Sequence, residues 1–155
     1  MIQEQYVSFE TAKLLKEKGF DEPTREYCEE ELWGNELTKK YTFKHLYCAE
    51  DEPFFNSIQG ADEHKWSAPT QQMVMRWLRE LYNLHIEISP LKHYISNGHH
   101  KAVPSDKIVY SYEIYHIDQW DDVLEEFNQH GSFGFSTCEE ACESAIKYCL
   151  ENLIK

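Results

Sequence analysis

Val74, Trp77, Leu78 and Leu81 fall at i, i+3, i+4 and i+7, the spacing of one helix face, while Gln72, Arg76, Arg79, Glu80 and Asn83 make the opposite face polar. Met73, Met75 and Tyr82 widen the apolar arc. Ser67 or Ala68 stands near the N-cap and Pro69 near the first turn, where a missing N–H costs nothing, so the pattern predicts a helix over 69–83. The period then changes to two. Leu84, Ile86 and Ile88 alternate with His85, Glu87 and Ser89, which predicts a half-buried strand. A second strand is predicted over 108–117, rich in Ile, Val and Tyr, antiparallel to the first. Between them, 96–107 contains Asn97-Gly98 and Pro104 and reads as a long, mobile connection.

The two ends of the chain carry the other helical patterns. Ser8 opens a helix over 9–18 that buries Phe9, Ala12 and Leu15, and Glu10 in its first turn suits the helix dipole. Gly19 closes it in the left-handed conformation, with Phe20 set to contact Leu15 as in a Schellman turn. Near the C-terminus Ser136-Thr137-Cys138-Glu139 fits a capping box. The stripe that follows is Cys138, Cys142, Ala145, Ile146, Cys149, Leu150 and Leu153. Asp118 is expected to cap a short helix bearing Trp120, Val123, Leu124 and Phe127 and ending near Gly131. The stretch 24–66 is poorly patterned: Tyr41 to Tyr47 alternates as a strand would, and 56–65 reads as loop. Together these elements predict a single α+β domain, 1–155, with three or four helices packed on a small, mainly antiparallel sheet.

Composition narrows the function. A chain of 155 residues with 14% aromatics buries a real core without disulfide staples. The formal net charge is −13, and no run of Lys or Arg exceeds Lys39-Lys40, so direct binding to DNA or RNA is not expected. Acidity of this size keeps a small protein soluble, and it also suits a basic protein partner or an inhibitor that mimics nucleic acid. No apolar run is long enough to span a membrane, and the start of the chain lacks the basic and apolar regions of a secretory signal. Cys28, Cys48, Cys138, Cys142 and Cys149 are odd in number, which reads as reduced thiols in a cytoplasmic protein. Cys138, at a helix start, is the one thiol whose position favours a lowered pKa.

Histidine carries the remaining chemistry. His93, His99 and His100 lie close in sequence and are the candidate metal ligands, for Zn²⁺ or Ni²⁺; His85 and His116 lie on strands expected to pair. A metal-dependent or acid–base enzyme would use this set. No helical pair of histidines four apart, no Cys-x-x-Cys, no phosphate-binding glycine loop and no nucleophile elbow is present. No catalytic residue and no cofactor are assigned. The carboxylate runs Glu29-Glu30-Glu31, Asp121-Asp122 and Glu125-Glu126 read as solvated faces; Tyr110, Tyr112, Tyr115, Tyr41, Phe43, Tyr47, Phe54 and Phe55 read mostly as core, or as the lining of a ligand groove or partner interface.

Three blocks are distinctive as wording: Phe9 to Pro23, Ala68 to Glu80, and Glu139 to Ile154. By these the chain resembles a family of small uncharacterised proteins found in gut-bacterial genomes and their phages and mobile elements. The resemblance carries no assigned activity and supplies no catalytic residue; taken with the acidity and the absence of a catalytic motif, it points to a non-catalytic accessory or protein-interaction role. The oligomeric state has no signature in the sequence.

Overall fold

The computed structural model describes residues 4–33, 40–48, 52–61, 64–96, 99–103, 106, 108–126 and 134–155. Within them the protein is α+β, with every named strand paired antiparallel. The chain divides into two compact units, Met1–Thr70 with Ile154–Lys155, and Gln71–Leu153. The strands are shared between them as two three-stranded sheets and a separate hairpin.

The first unit contains α1 (Phe9–Glu17), β1 (Glu26–Trp33), β2 (Lys40–Tyr47) and β3 (Lys65–Ser67), with sheet order β2-β1-β3. Ser8 caps α1, its side chain accepting from the Thr11 N–H at 3.2 Å. At the other end Gly19 has φ +81°, the Phe20 N–H reaches the Leu15 carbonyl at 2.9 Å, and the Gly19 N–H reaches that of Lys16 at 3.1 Å. This is the Schellman pattern the sequence predicts, and Leu15 and Phe20 are fully buried beside it. Phe9 is only half-buried; its ring meets Trp66 of β3 edge-on at 5.0 Å. β1 is an element the sequence pattern missed. Its Glu-Tyr-Cys-Glu-Glu-Glu opening lacks the apolar alternation that marks a strand.

The second unit contains α2 (Gln71–Tyr82), β4 (Leu84–Pro90), β5 (His93–Ser96), β6 (His99–Ala102), β7 (Tyr110–His116), β8 (Gln119–Glu126) and α3 (Cys138–Tyr148), the last continued by a wider π turn over Cys149–Leu153. β4 and β7 pair as expected, with Ile86 opposite Ile114 and Ile88 opposite Tyr112. α2 and α3 pack on these two strands, burying Val74, Trp77, Leu78, Ala145, Ile146 and Leu150. Asn83, at φ 54°, makes the turn from helix to strand, a conformation asparagine tolerates better than most residues.

Five expectations are corrected in this unit. α2 starts at Gln71, two residues later than the proline signal suggested, and Leu81 is 63% exposed instead of belonging to its buried stripe. Most of the connection between β4 and β7 is the hairpin β5–β6, in which Tyr94 is opposite Lys101 and Ile95 opposite His100. The segment after Asp118 is β8, not a helix; Ile117 and Asp118 form the turn into it. Register shifts along β8 break its alternation, so Trp120, Val123 and Leu124 mimic helical spacing. The capping box sits one residue later than expected: the Thr137 hydroxyl accepts from the Glu140 N–H, and the Glu140 carboxylate accepts from the Ser136 N–H, both at 3.1 Å. Phe127, His130, Gly131, Asn97, Gly98 and Pro104 lie outside the described residues.

The cysteine stripe of α3 is core at Cys142 and Cys149 and exposed at Cys138. Burial raises both buried thiols from 9.0 to about 12. Cys138 is also raised, by partial burial and then by the Glu139 carboxylate, so the expected lowering at the helix start does not occur. A rise from 9.0 to about 12 cuts the thiolate fraction at pH 8 roughly a thousandfold, and the thiolate is the reacting form. We therefore expect an aromatic disulfide reagent at pH 8 to label Cys138 first, and Cys142 and Cys149 only on unfolding. Rapid native labelling of Cys149, read by peptide mass spectrometry, would contradict this packing.

Candidate functional site

The first unit holds the chemically distinctive groups, and β1 organises them. Its side chains alternate, so Glu26, Cys28 and Glu30 share one face while Tyr27, Glu29 and Glu31 share the other. On the first face the register places Cys28 opposite His45 and Glu26 opposite Tyr47. Glu26 is 3% exposed, yet it is a carboxylate. A carboxylate this deep needs partners. His45 Nε2 lies 2.7 Å from its Oε2, and the Tyr6 hydroxyl donates to the same carboxylate. The tyrosine proton is held in place by that bond first and by burial second, so its pKa is raised. Tyr6 and His45 also meet edge-on at 5.1 Å. The His45 side chain remains 40% exposed. His45 is thus a close ion-pair neighbour of a buried carboxylate, whose Oε2 makes no well-aligned hydrogen bond, and the ring stays partly open to water. The nearest thiol in register is unsuited to nucleophilic work: burial, then Glu26, pushes Cys28 up to about 11.

The same unit carries a hollow of about 250 Å³. Tyr27 and Phe54 line it as a stacked pair, centroids 4.9 Å apart and planes within 6°. The pair is fixed by main chain: Thr24 and Phe54 exchange both N–H···O bonds, at 3.0 and 2.8 Å. Tyr47, at the end of β2, borders it and is 76% exposed; its ring lies 6.1 Å from that of His45, on the Glu26 side of the sheet. Glu52 and Lys65 supply opposite charges to the lining. Lys65 already has a carboxylate neighbour, Glu29, at 3.7 Å. The Gln59 amide is occupied too, accepting from the Phe55 N–H at 2.9 Å and donating to the Pro53 carbonyl at 3.2 Å.

The run Glu29-Glu30-Glu31 is therefore not one solvated face. Glu29 meets Lys65, Glu30 meets His64 at 3.4 Å, and Glu31 pairs with Lys44. A second, wider groove in the same unit runs past Lys13, Lys16, His64 and Trp66. There the Lys13 and Lys16 ammonium groups lie 5.1 and 5.3 Å from the Trp66 ring centre. Lys16 also donates to the Lys65 carbonyl at 2.9 Å.

The histidines singled out from sequence lie in the second unit. His93 is opposite Ala102 and His99 opposite Ser96, three rungs along the hairpin, or about 10 Å. Both are exposed, and His100 follows His99 on β6, its side chain outside the described residues. His85 is opposite Tyr115 and His116 opposite Leu84, adjacent rungs whose side chains leave opposite faces. Among the described residues no three His, Cys, Asp or Glu are grouped to hold a metal ion. Glu125, from one of the acidic runs, accepts from the Tyr148 hydroxyl. Tyr47 and Phe54 are among the aromatics the sequence offers as groove lining, and both border the hollow; Glu26 and Tyr27 are missed, because their place depends on a strand register that no local pattern specifies. A further signal is the alternation of Tyr41 to Tyr47, which places His45 and Tyr47 on a common face. No described helix is long and apolar enough to cross a membrane. Compared with protein-family models, curated proteins and solved structures, the chain matches none.

Proposed function

We propose that this protein works by contact with a basic partner protein and performs no catalysis. The observation that carries the reading is the exposed Tyr47 beside an aromatic hollow on a chain with a net charge of −13. An amphipathic aromatic at a surface hollow is a typical anchor of an interface, and unspent negative charge selects partners and speeds their approach. The resemblance to mobile-element proteins agrees with an accessory role of this kind. The same charge argues against nucleic acid as the direct ligand, since affinity for phosphate polymers comes from Lys and Arg displacing counterions.

The test is affinity capture from the native host, followed by titration of the purified captured protein at rising salt. We expect stoichiometric binding that weakens severalfold between 50 and 300 mM salt. In a gel shift at physiological salt the protein should leave duplex DNA and RNA unshifted. Saturable micromolar binding to nucleic acid, or a stoichiometric partner whose affinity ignores salt, would defeat the reading.

A further inference from the structure

We propose that Cys138, Cys142 and Met75 form a binding site for a soft monovalent metal ion, Cu(I), at the seam between α2 and α3. The three sulfurs come from two helices of one compact unit. Cys142 stands at the centre of the set: it is 5% exposed, and its Sγ lies 3.3 Å from the Met75 Sδ. Cys138 stands one turn earlier on α3, and residues four apart on a helix have Cβ atoms about 5–6 Å from each other. The two thiols sense one another, since burial first and the Cys138 sulfur second raise the Cys142 pKa. Gln71 and Met75, four apart on α2, both turn toward α3. The Gln71 amide fixes that approach, donating to the Glu139 carbonyl at 3.0 Å and to the Glu143 carboxylate at 3.2 Å.

The donor set chooses the ion. Two thiolates and a thioether are soft ligands, whereas Mg²⁺ and Ca²⁺ take oxygen. A structural Zn²⁺ site asks for four ligands in a tetrahedron. Cu(I), with a filled d shell, accepts two or three sulfurs. Among the described residues no group of three His, Cys, Asp or Glu is placed to hold a metal, so an ion at the two thiols takes its third ligand from Met75. Each coordinated thiol passes its proton to solvent. The negative charge this leaves falls at the first turns of α3, where the helix dipole favours it. Entry is by way of Cys138, which is exposed, and Met75 is only half-buried. A bare ion handed on from Cys138 reaches a Cys142 sulfur that a bulky aromatic reagent does not. This metal-carrying role stands or falls apart from the binding of a basic partner.

The experiment mixes the full, reduced chain anaerobically with Cu(I) held by the coloured chelator bicinchoninate, and loss of colour counts the copper taken. We expect one equivalent per chain. C138S should weaken uptake at least tenfold and M75L severalfold. Neither should move the denaturation midpoint of the metal-free protein much, because Cys138 is exposed and leucine replaces methionine with little change of volume. C48S, in the other unit, should leave uptake unchanged. X-ray absorption at the copper edge should show three sulfur neighbours in the natural chain and two in M75L. Undiminished uptake by C138S, or its loss in C48S, would overturn the site. An unchanged sulfur count in M75L would remove Met75 from it. Zn²⁺ displacing Cu(I) on equal terms would overturn the choice of ion.

Discussion

Replacing Trp77 with alanine is expected to cost about 3–5 kcal/mol, the range for truncating a buried aromatic. Trp77 is 4% exposed, one turn from Val74 and next to Leu78, which are both fully buried. Its ring also meets Tyr82 edge-on at 5.1 Å. Removing the indole opens a void under α2 that neighbours held in helix and sheet cannot refill. Two controls sharpen the result. Leu81→Ala should cost well under 1 kcal/mol despite its place in the same periodic stripe, since most of that side chain is already in water. Arg76→Ala removes an exposed i, i+4 contact to Glu80, worth about 0.3–0.5 kcal/mol. Chemical denaturation of the three variants checks the assignment. A Leu81→Ala midpoint shift equal to that of Trp77→Ala would mean that the faces of α2 are wrong.

The second large effect is expected at a polar residue. Asn56 is buried, and its amide spans two segments of the first unit. Its Nδ2 donates to the Phe20 carbonyl and to the Ser67 hydroxyl, both at 2.8 Å. Its Oδ1 accepts from the Ser67 N–H at 2.9 Å. The side chain therefore joins the end of the α1 turn to β3. Asn56→Ala strands a buried carbonyl and a buried N–H, at about 1–3 kcal/mol each, so we expect a loss of about 2–6 kcal/mol. Asn56→Asp tests the cause: it keeps the acceptor for Ser67, removes both donors and brings a carboxylate toward the Phe20 carbonyl. It should be at least as damaging near neutral pH. If Asn56→Ala shifts the denaturation midpoint no more than Leu81→Ala, the amide is not the link it looks to be.

These two residues differ in how visible they were beforehand. Trp77 announced itself because a helix repeats every 3.6 residues, and its neighbours at matching spacing formed a stripe. Asn56 lay in a stretch read as loop, since an asparagine that joins distant segments has no local signature. The same contrast separates the candidate sites. His93, His99 and His100 stood out because they are close in sequence, but a hairpin spaces His93 and His99 three rungs apart. Glu26, Tyr6 and His45 are far apart in sequence and meet in space.

What the sequence determined by itself is local: the Ser8 cap, the Gly19 turn with its Leu15–Phe20 contact, the α2-to-β4 passage, the β4–β7 pairing and the buried cysteines of α3. Each rests on interactions within a few residues, or on a strong period of 3.6 or 2 that commits one face to the interior. Tertiary structure decided the rest. β8 became a strand because β7 offered it backbone partners, and its irregular register removed the period that would have shown this. β1, nearly all polar at its start, is a strand because β2 and β3 flank it and satisfy its backbone groups on both edges. Its carboxylates then went where pairing carried them, Glu26 into the interior beside His45 and Glu29 toward Lys65. Burial of a charge is a property of its surroundings, and those surroundings are assembled only when distant strands come into register.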